Sequence, residues 1–358
     1  MKDMDRKFDL DDIAIIPTII SDISSRSECN ISRSFEDGIK TLPLMASPMD
    51  TVVCGKNFPR YINEGIIPCM PRGVYVKDRG PNDYKRSLYF QSFGLAEIEA
   101  QLEYDGKDVN DFYTYPNILI DIANGHMKRL LNVVKEIKEN YPHIRIMVGN
   151  VAHPLTYKNL AMAGADYVRC SIGTGAGCTT AANVAINYPV GSLISECRKI
   201  KEDSGLDAKI VADGGTRDYS DIIKALALGA DYVMMGSIFN KSMESAGFNY
   251  LKTPFGRIRI KNYDLARYLW KWGFPIYKKY RGMSTKAVQR SWGKAQLVTA
   301  EGITKYQKVA YTLNQWTENF KDYLRSNMSY SGAKTLDDFI GEAEWVFITE
   351  RARKRFDK

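Results

Sequence analysis

Three observations predict a parallel α/β fold. Short apolar runs ending in Gly, Asn or Asp recur along the first two thirds of the chain, segments of helical spacing separate them, and one five-residue string occurs twice. Near-continuous apolar strands alternating with helices indicate a parallel sheet whose outer face is covered. The repeated string, Gly-Ala-Asp-Tyr-Val, stands at 164–168 and again at 229–233, a separation that suits two strand-plus-helix units. In each copy the glycine can end a helix and the Tyr-Val can begin the next strand. Eight such units fill about 250 residues. The fold class expected is therefore α/β, a (β/α)8 TIM barrel, with residues 1–358 read as a single catalytic domain.

Taken in order, strands are expected at Ile118-Leu-Ile-Asp121, Ile144-Arg-Ile-Met-Val148, Ala165-Asp-Tyr-Val168, Lys209-Ile-Val-Ala-Asp213 and Ala230-Asp-Tyr-Val-Met-Met235. Each is a short apolar run of the kind a buried parallel strand requires. The rhythm breaks over about 248–308, where Tyr250, Tyr263, Tyr268, Trp270, Trp272, Tyr277, Tyr280 and Trp292 lie among many Lys and Arg with few clean strand signals. This stretch reads as a long insertion or flap before the last elements, and long insertions in compact domains usually carry function. An aromatic surface packing against a neighbouring subunit is the alternative reading.

Hydrophobic residues make up 44% of the chain and charged residues 26%, which excludes fibrous and disordered classes. No run approaches the ~18 apolar residues of a bilayer span. The opening Met-Lys-Asp-Met-Asp-Arg-Lys carries acids where a signal peptide needs an apolar stretch. The expectation is a cytoplasmic protein with no membrane partner. Six cysteines form no CxxC pair and no ligand-like group with the three histidines, so reduced thiols are expected and a zinc site is not. The formal charge of +8 culminates in Arg351-Ala-Arg-Lys-Arg-Phe-Asp-Lys358, read as a solvated terminus rather than a nucleic-acid contact. A positive field of this size would draw in small anions.

The chemistry is placed at Ser171-Ile-Gly-Thr-Gly-Ala-Gly-Cys-Thr-Thr180, directly after an apolar strand. Gly173, Gly175 and Gly177 let backbone bend and approach a ligand, and a thiol beside exposed amides ionises more readily than a buried one. Cys178 is the candidate nucleophile. Two further strand ends carry glycine corners, Asp213-Gly214-Gly215 and Gly236-Ser237. Their amides and the helix starts after them are expected to bind a phosphate dianion. His126 and His153 are read as structural hydrogen-bonding residues, and the other five cysteines as inert.

These residues, with Ser25-Arg-Ser-Glu28, Ala46-Ser-Pro-Met-Asp-Thr-Val52, Asp121-Ile-Ala-Asn-Gly-His126, Gly149-Asn-Val151, Tyr280-Arg-Gly-Met-Ser284, Glu301-Gly302 and Ser331-Gly-Ala-Lys334, give the chain a resemblance over nearly its whole length. It resembles the IMP dehydrogenase and GMP reductase family, which acts on purine mononucleotides from a barrel scaffold. The resemblance implies that Cys178 attacks carbon 2 of the purine while a nicotinamide cofactor, NADPH or NAD, exchanges hydride there. It implies substrate contacts from Ser47, Met49, Asp213, Gly214, Gly215, Gly236, Ser237, Met283, Ser284 and Gly302. Asp121, Ala123 and Asn124 would face the cofactor. Carbonyls of Gly173, Gly175 and Cys178 would hold potassium, as in the dehydrogenases. Family members are commonly tetramers, so a homotetramer is implied.

Within the family, the flap separates two activities. Dehydrogenases hydrolyse the covalent adduct with a flap Arg-Tyr pair, whereas here Arg290 is followed by Ser291 and no such pair occurs between Met283 and Glu301. A reductase must protonate a departing amine, and Thr180 with Glu301 can relay that proton if the two meet. The tandem regulatory (CBS) insert of many dehydrogenases is also absent. The reading is therefore a GMP reductase-like, NADPH-dependent reductive deamination of a guanine mononucleotide to the inosine nucleotide. Alternatives are IMP dehydrogenation to XMP with NAD, a related purine deoxynucleotide oxidoreductase, and a catalytically inactive nucleotide-binding homologue. Departures from the family pattern are Thr174 for a proline, Ala176 for a substrate-touching serine, Ala181 for an arginine, and Pro71-Arg72 where reductases carry His-Lys.

Overall fold

The computed structural model describes residues 6–35, 38–75, 84–104, 110–291, 299 and 301–355. Eight strands form its centre: β1 (Leu44–Ala46), β2 (Ile67–Met70), β3 (Phe90–Phe93), β4 (Asn117–Asp121), β5 (Arg145–Val151), β6 (Tyr167–Cys170), β7 (Lys209–Asp213) and β8 (Tyr232–Met235). They pair in parallel in chain order, and β8 returns to β1 through Met235 opposite Ala46, so the sheet closes as a barrel. The expected (β/α)8 barrel is what the chain forms. The repeated Gly-Ala-Asp-Tyr-Val string is a joint, as expected. Gly164 and Gly229 hold φ of +104° and +109°. The aspartate after each accepts from the backbone of the preceding strand, Asp166 from Ile146 N–H at 2.7 Å and Asp231 from Ile210 N–H at 2.8 Å.

Strand side chains alternate between faces, and the barrel sorts them by chemistry. Every strand sends at least one residue into the interior: Met45, Ile67 with Cys69, Phe90, Leu119, Met147, Tyr167, Val211, and Tyr232 with Met234. Phe90, Tyr167 and Tyr232 fill the lumen with ring contacts of 5.2 and 5.9 Å. The opposite faces pack under the surrounding helices. Helix Lys128–Asn140 shows why it sits there, since Leu130, Val133, Val134 and Ile137 form one buried stripe at helical spacing. Outside the barrel, Ile13–Ile15 pairs antiparallel with Trp345–Phe347, which brings the two described ends of the chain together. No helix among the described residues is long and apolar enough to cross a membrane.

The insertion differs from expectation. Where few clean strands were read, the chain builds an antiparallel sheet of β9 (Asn249–Thr253), β10 (Gly256–Ile260), β11 (Ile276–Arg281) and β12 (Thr304–Lys308), in the order β10-β9-β11-β12. Its inner face and helix Tyr263–Lys271 share a small core containing Met243, Ala266, Ile276 and Val309. Trp292 lies outside the described residues. β11 and β12 escaped the sequence reading because their Lys and Tyr residues fall on both faces and leave no alternation of polar against apolar. On β11, Tyr277, Lys279 and Arg281 face out, while Ile276, Lys278 and Tyr280 are buried. Lys278 is 1% exposed, and its ammonium donates to the Ser245 carbonyl at 2.9 Å.

Candidate active site

The barrel's period of two places the site. Two residues beyond the interior apolar layer on six strands stand Ser47, Asp121, Gly149, Arg169, Asp213 and Gly236. This is the C-terminal rim, where barrels of this type carry reactive groups. At its centre the Arg169 guanidinium bridges two carboxylates, donating to Asp121 at 2.7 Å and to Asp213 at 2.7 and 3.1 Å. Arg72 lies 3.2 Å from the other Asp121 oxygen. Burial works against charge on Asp121, but the Arg72 and Arg169 guanidiniums overcome it and hold the carboxyl below the ordinary range. Asn150 adds a hydrogen bond to Asp213 at 2.8 Å, and all three described donors to Asp213 converge on Oδ2.

Above this layer lies the cysteine loop. Ser171 opens it at φ +144°, with its hydroxyl bonded to that of Thr174, so the departure Thr174 is a brace. The Gly175 carbonyl accepts from Cys178 N–H at 2.8 Å and closes the turn. That carbonyl, one of three expected to hold potassium, thus already accepts one N–H of its own loop. Cys178 is partly exposed. Its sulfur donates to Thr180 Oγ1 at 3.2 Å, and Thr180 Oγ1 donates to Glu301 Oε2 at 2.5 Å. Thiol, hydroxyl and carboxylate thus form one chain, although Glu301 is 121 residues from Thr180. Backbone pairing fixes the register: Thr179 N–H donates to Glu301 O at 2.8 Å and Ile303 N–H to Gly177 O at 3.0 Å. Gly302 lies opposite Cys178 in that bridge.

The glycine corners meet this loop. Gly214 and Gly215 hold φ of +102° and +80°, and a Cβ on Gly214 would sit 3.2 Å from Gly175 Cα. A Cβ on Gly236 would lie 2.7 Å from Met49 Sδ, 3.3 Å from the Tyr280 hydroxyl and 3.5 Å from Ser47 Oγ. Ser47, Met49, Gly236 and Tyr280 therefore share one corner. Tyr280 was not among the expected contacts, although it stands in the Tyr280-Arg-Gly-Met-Ser284 segment. The signal was its place on the inward face of a strand directly before Gly282.

The expected helix-terminus contribution to phosphate binding needs correction. Helix Tyr219–Ala227 begins four residues after Gly215, and the carboxylate of its N-cap Asp218 already accepts from Asp221 N–H. Gly236-Ser237 leads into Ser237–Asn240, a single turn with little dipole to offer. Any anion here would rely on loop amides and nearby side chains rather than on a helix dipole. Met283 and Ser284 lie on the same side, with Ser284 Oγ 3.0 Å from the point a Gly302 Cβ would occupy. Ala123 and Asn124 are exposed on the rim after β4, and Asn124 caps its own loop by accepting from His126 N–H at 3.0 Å. Asp121 is instead buried between two arginines. His126 uses both ring nitrogens, toward Ala152 N–H and the Thr156 hydroxyl, and burial lowers its pKa. Flap residues 292–298 and 300 lie outside the described residues.

Comparison with known proteins matches the description "IMP dehydrogenase / GMP reductase domain" over residues 114–264, which span β4 to β8 and the start of the insertion. The chain is 35% identical over 232 residues to an inosine-5'-monophosphate dehydrogenase of Chlorobaculum parvum, an alignment covering 65% of this chain and 45% of that protein. It is 27% identical over 350 residues to a GMP reductase of Vibrio vulnificus, covering 94% of each. To a GMP reductase of Shouchella clausii it is 29% identical over 358 residues, covering 96% of each. The barrel, the cysteine loop and these likenesses together make the chain similar to the IMP dehydrogenase / GMP reductase family.

Proposed function

We propose that the protein is an oxidoreductase that reductively deaminates a guanine mononucleotide to the corresponding inosine nucleotide. The observation that carries this reading is the hydrogen-bond chain from Cys178 through Thr180 to Glu301. A reductase needs a thiol to attack carbon 2 and an acid to protonate the amine that leaves. Both are here, joined by one hydroxyl. Likeness to GMP reductases over 94–96% of both chains supports the same choice, whereas the dehydrogenase likeness covers 45% of that relative.

In this reading the Cys178 sulfur bonds to carbon 2 of the guanine. The carbon–nitrogen bond breaks as the Thr180–Glu301 pair delivers a proton, and ammonia departs. Ala123 and Asn124 would hold the nicotinamide cofactor, read as NADPH, which when bound would supply the hydride for carbon 2. The carbon–sulfur bond then breaks with return of the electron pair to Cys178, leaving the inosine nucleotide. Overall, a guanine nucleotide, NADPH and two protons give the inosine nucleotide, NADP⁺ and ammonium. Asp213 Oδ1, free of the donors that converge on Oδ2, faces the ribose hydroxyls. Ser47, Met49, Gly214, Gly215, Gly236, Ser237 and Tyr280 hold the phosphate end, and Met283, Ser284 and Gly302 border the purine.

The test is purified protein with GMP and NADPH. Loss of nicotinamide absorbance matched one-to-one by ammonia and IMP is the expected result. XMP formed from IMP and NAD, with no turnover of GMP, would assign the dehydrogenase reaction instead. Binding without turnover in either assay would assign a nucleotide sensor.

A further inference from the structure

Lys305 lies on β12, whose side chains alternate. Thr304 and Lys308 are exposed, whereas Lys305 and Gln307 turn toward the barrel. The Lys305 ammonium donates to the Ala176 carbonyl at 3.1 Å and lies 5.4 Å from the centre of the Tyr280 ring. It carries three N–H groups, and one carbonyl satisfies one of them. Partial burial and the like charge of Lys241 both act against its positive charge, and no acid among the described residues acts on it. A partly buried ammonium held this way is a cation with its counter-charge missing.

Its surroundings indicate which counter-charge fits. The Tyr280 ring beneath Lys305 presses on Gly177, where a Cβ would come within 2.9 Å of Cε1, and its hydroxyl reaches the Gly236 corner beside Ser47. That corner offers neutral donors: amides and two hydroxyls. Ala176, the residue Lys305 holds, has no side-chain donor of its own at a position next to Gly177. A phosphate dianion in such a corner gains from one nearby full positive charge more than from another neutral donor.

We propose that Lys305 is a phosphate-binding residue, which supplies the cation for the 5'-phosphate of the bound purine nucleotide from the insertion rather than from the barrel. This rests on the reading given under Proposed function, because it takes that site to bind a nucleotide. The alternative role is a strut that pins the cysteine loop through the Ala176 carbonyl.

Equilibrium binding of GMP and of guanosine to the wild type, Lys305→Met and Lys305→Arg separates these roles, with turnover measured in parallel. Wild type is expected to prefer GMP strongly over guanosine. In Lys305→Met that preference should fall about 10- to 100-fold, the size of a lost charge-assisted contact. Guanosine affinity should stay within about twofold, KM for GMP should rise, and kcat at saturation should be nearly kept. Lys305→Arg should restore most of the preference. If the wild type discriminates and Lys305→Met discriminates equally well, the proposal falls while the nucleotide site stands. Equal loss of GMP and guanosine binding in Lys305→Met would assign the strut role and overturn the proposal. If the wild type itself does not distinguish GMP from guanosine, the reading of the site falls and takes this inference with it.

Discussion

Cys178 and Glu301 are joined through the single hydroxyl of Thr180, so the attack and the proton delivery of the proposed reaction can be separated by substitution. Cys178→Ala removes the attacking atom but neither glycine corner. Turnover should drop by about 10³-fold or more, while GMP affinity measured by calorimetry stays within a few-fold. Glu301→Gln keeps an acceptor for Thr180 but cannot carry the proton. Its kcat should fall by about 10² to 10⁴ with KM little changed, and steady-state kinetics reporting unchanged kcat would remove Glu301 from the reaction. Thr180→Ala should cost a similar factor, and the double variant little more than either alone, because the two act as one unit. These three residues were legible in the sequence through the glycine-rich loop and the Glu301-Gly302 pair. Arg169 was not, because a strand arginine reads as surface. It became visible once Tyr167 was placed in the lumen, since the residue two positions on must then face the rim.

At the scale of elements, Arg169 ties three strand ends, with Asp121 from β4 and Asp213 from β7 on either side of β6. Arg169→Met would leave those two carboxylates buried without their shared cation. A loss of about 3–5 kcal/mol is expected, read as a lower midpoint in urea unfolding together with loss of nucleotide binding. A midpoint within error of wild type would show that the bridge is dispensable. The insertion offers a contrast. Burial lowers the Lys278 pKa from its ordinary 10.5 to about 7, with Glu244 and Cys54 opposing that shift. Between about pH 10.5 and 7 the unfolded chain takes up a proton that the folded chain refuses, so this group's penalty grows as pH falls and is complete below pH 7. Stability should therefore rise with pH across that window. Lys278→Met should flatten the dependence and raise stability at pH 7 by an amount on the order of 1–3 kcal/mol, as measured by urea unfolding at pH 7 and 9.5. A destabilised variant at pH 7 would show that the Ser245 contact outweighs the burial cost. The same lysine explains what the sequence concealed. A strand with Lys278 inside and Tyr277 and Lys279 outside has no apolar rhythm to read, while 209–213, all apolar between its charged ends, was placed correctly. Strands β1 to β3 were missed because they are three or four residues long, and β2 and β3 also contain Pro68 or Gln91 and Ser92; they are strands because the barrel closes around them.

For the whole molecule, the decisive feature is that the barrel holds the thiol and the insertion holds the acid. In the proposed reaction neither unit would suffice alone, and the site exists only while Gly282 and residues 301–303 rest against the cysteine loop through the Gly177–Ile303 and Thr179–Glu301 backbone bonds. Gly282 sits at the tightest point of that contact. A Cβ there would lie 2.5 Å from the Gly177 carbonyl oxygen, which is backbone and cannot rotate aside. Gly282→Ala should therefore lift the insertion from the loop and part Thr180 from Glu301 without disturbing either core. Since a misplacement of about 1 Å can cost 10²-fold in rate, kcat/KM should fall by roughly that factor while thermal unfolding stays near the wild-type midpoint. Gly55→Ala, where a Cβ would meet nothing within 4 Å, is the matched control and should change neither quantity. Should Gly282→Ala retain full activity, the barrel and insertion would not need this contact, and the acid that releases the amine would have to come from elsewhere on the rim.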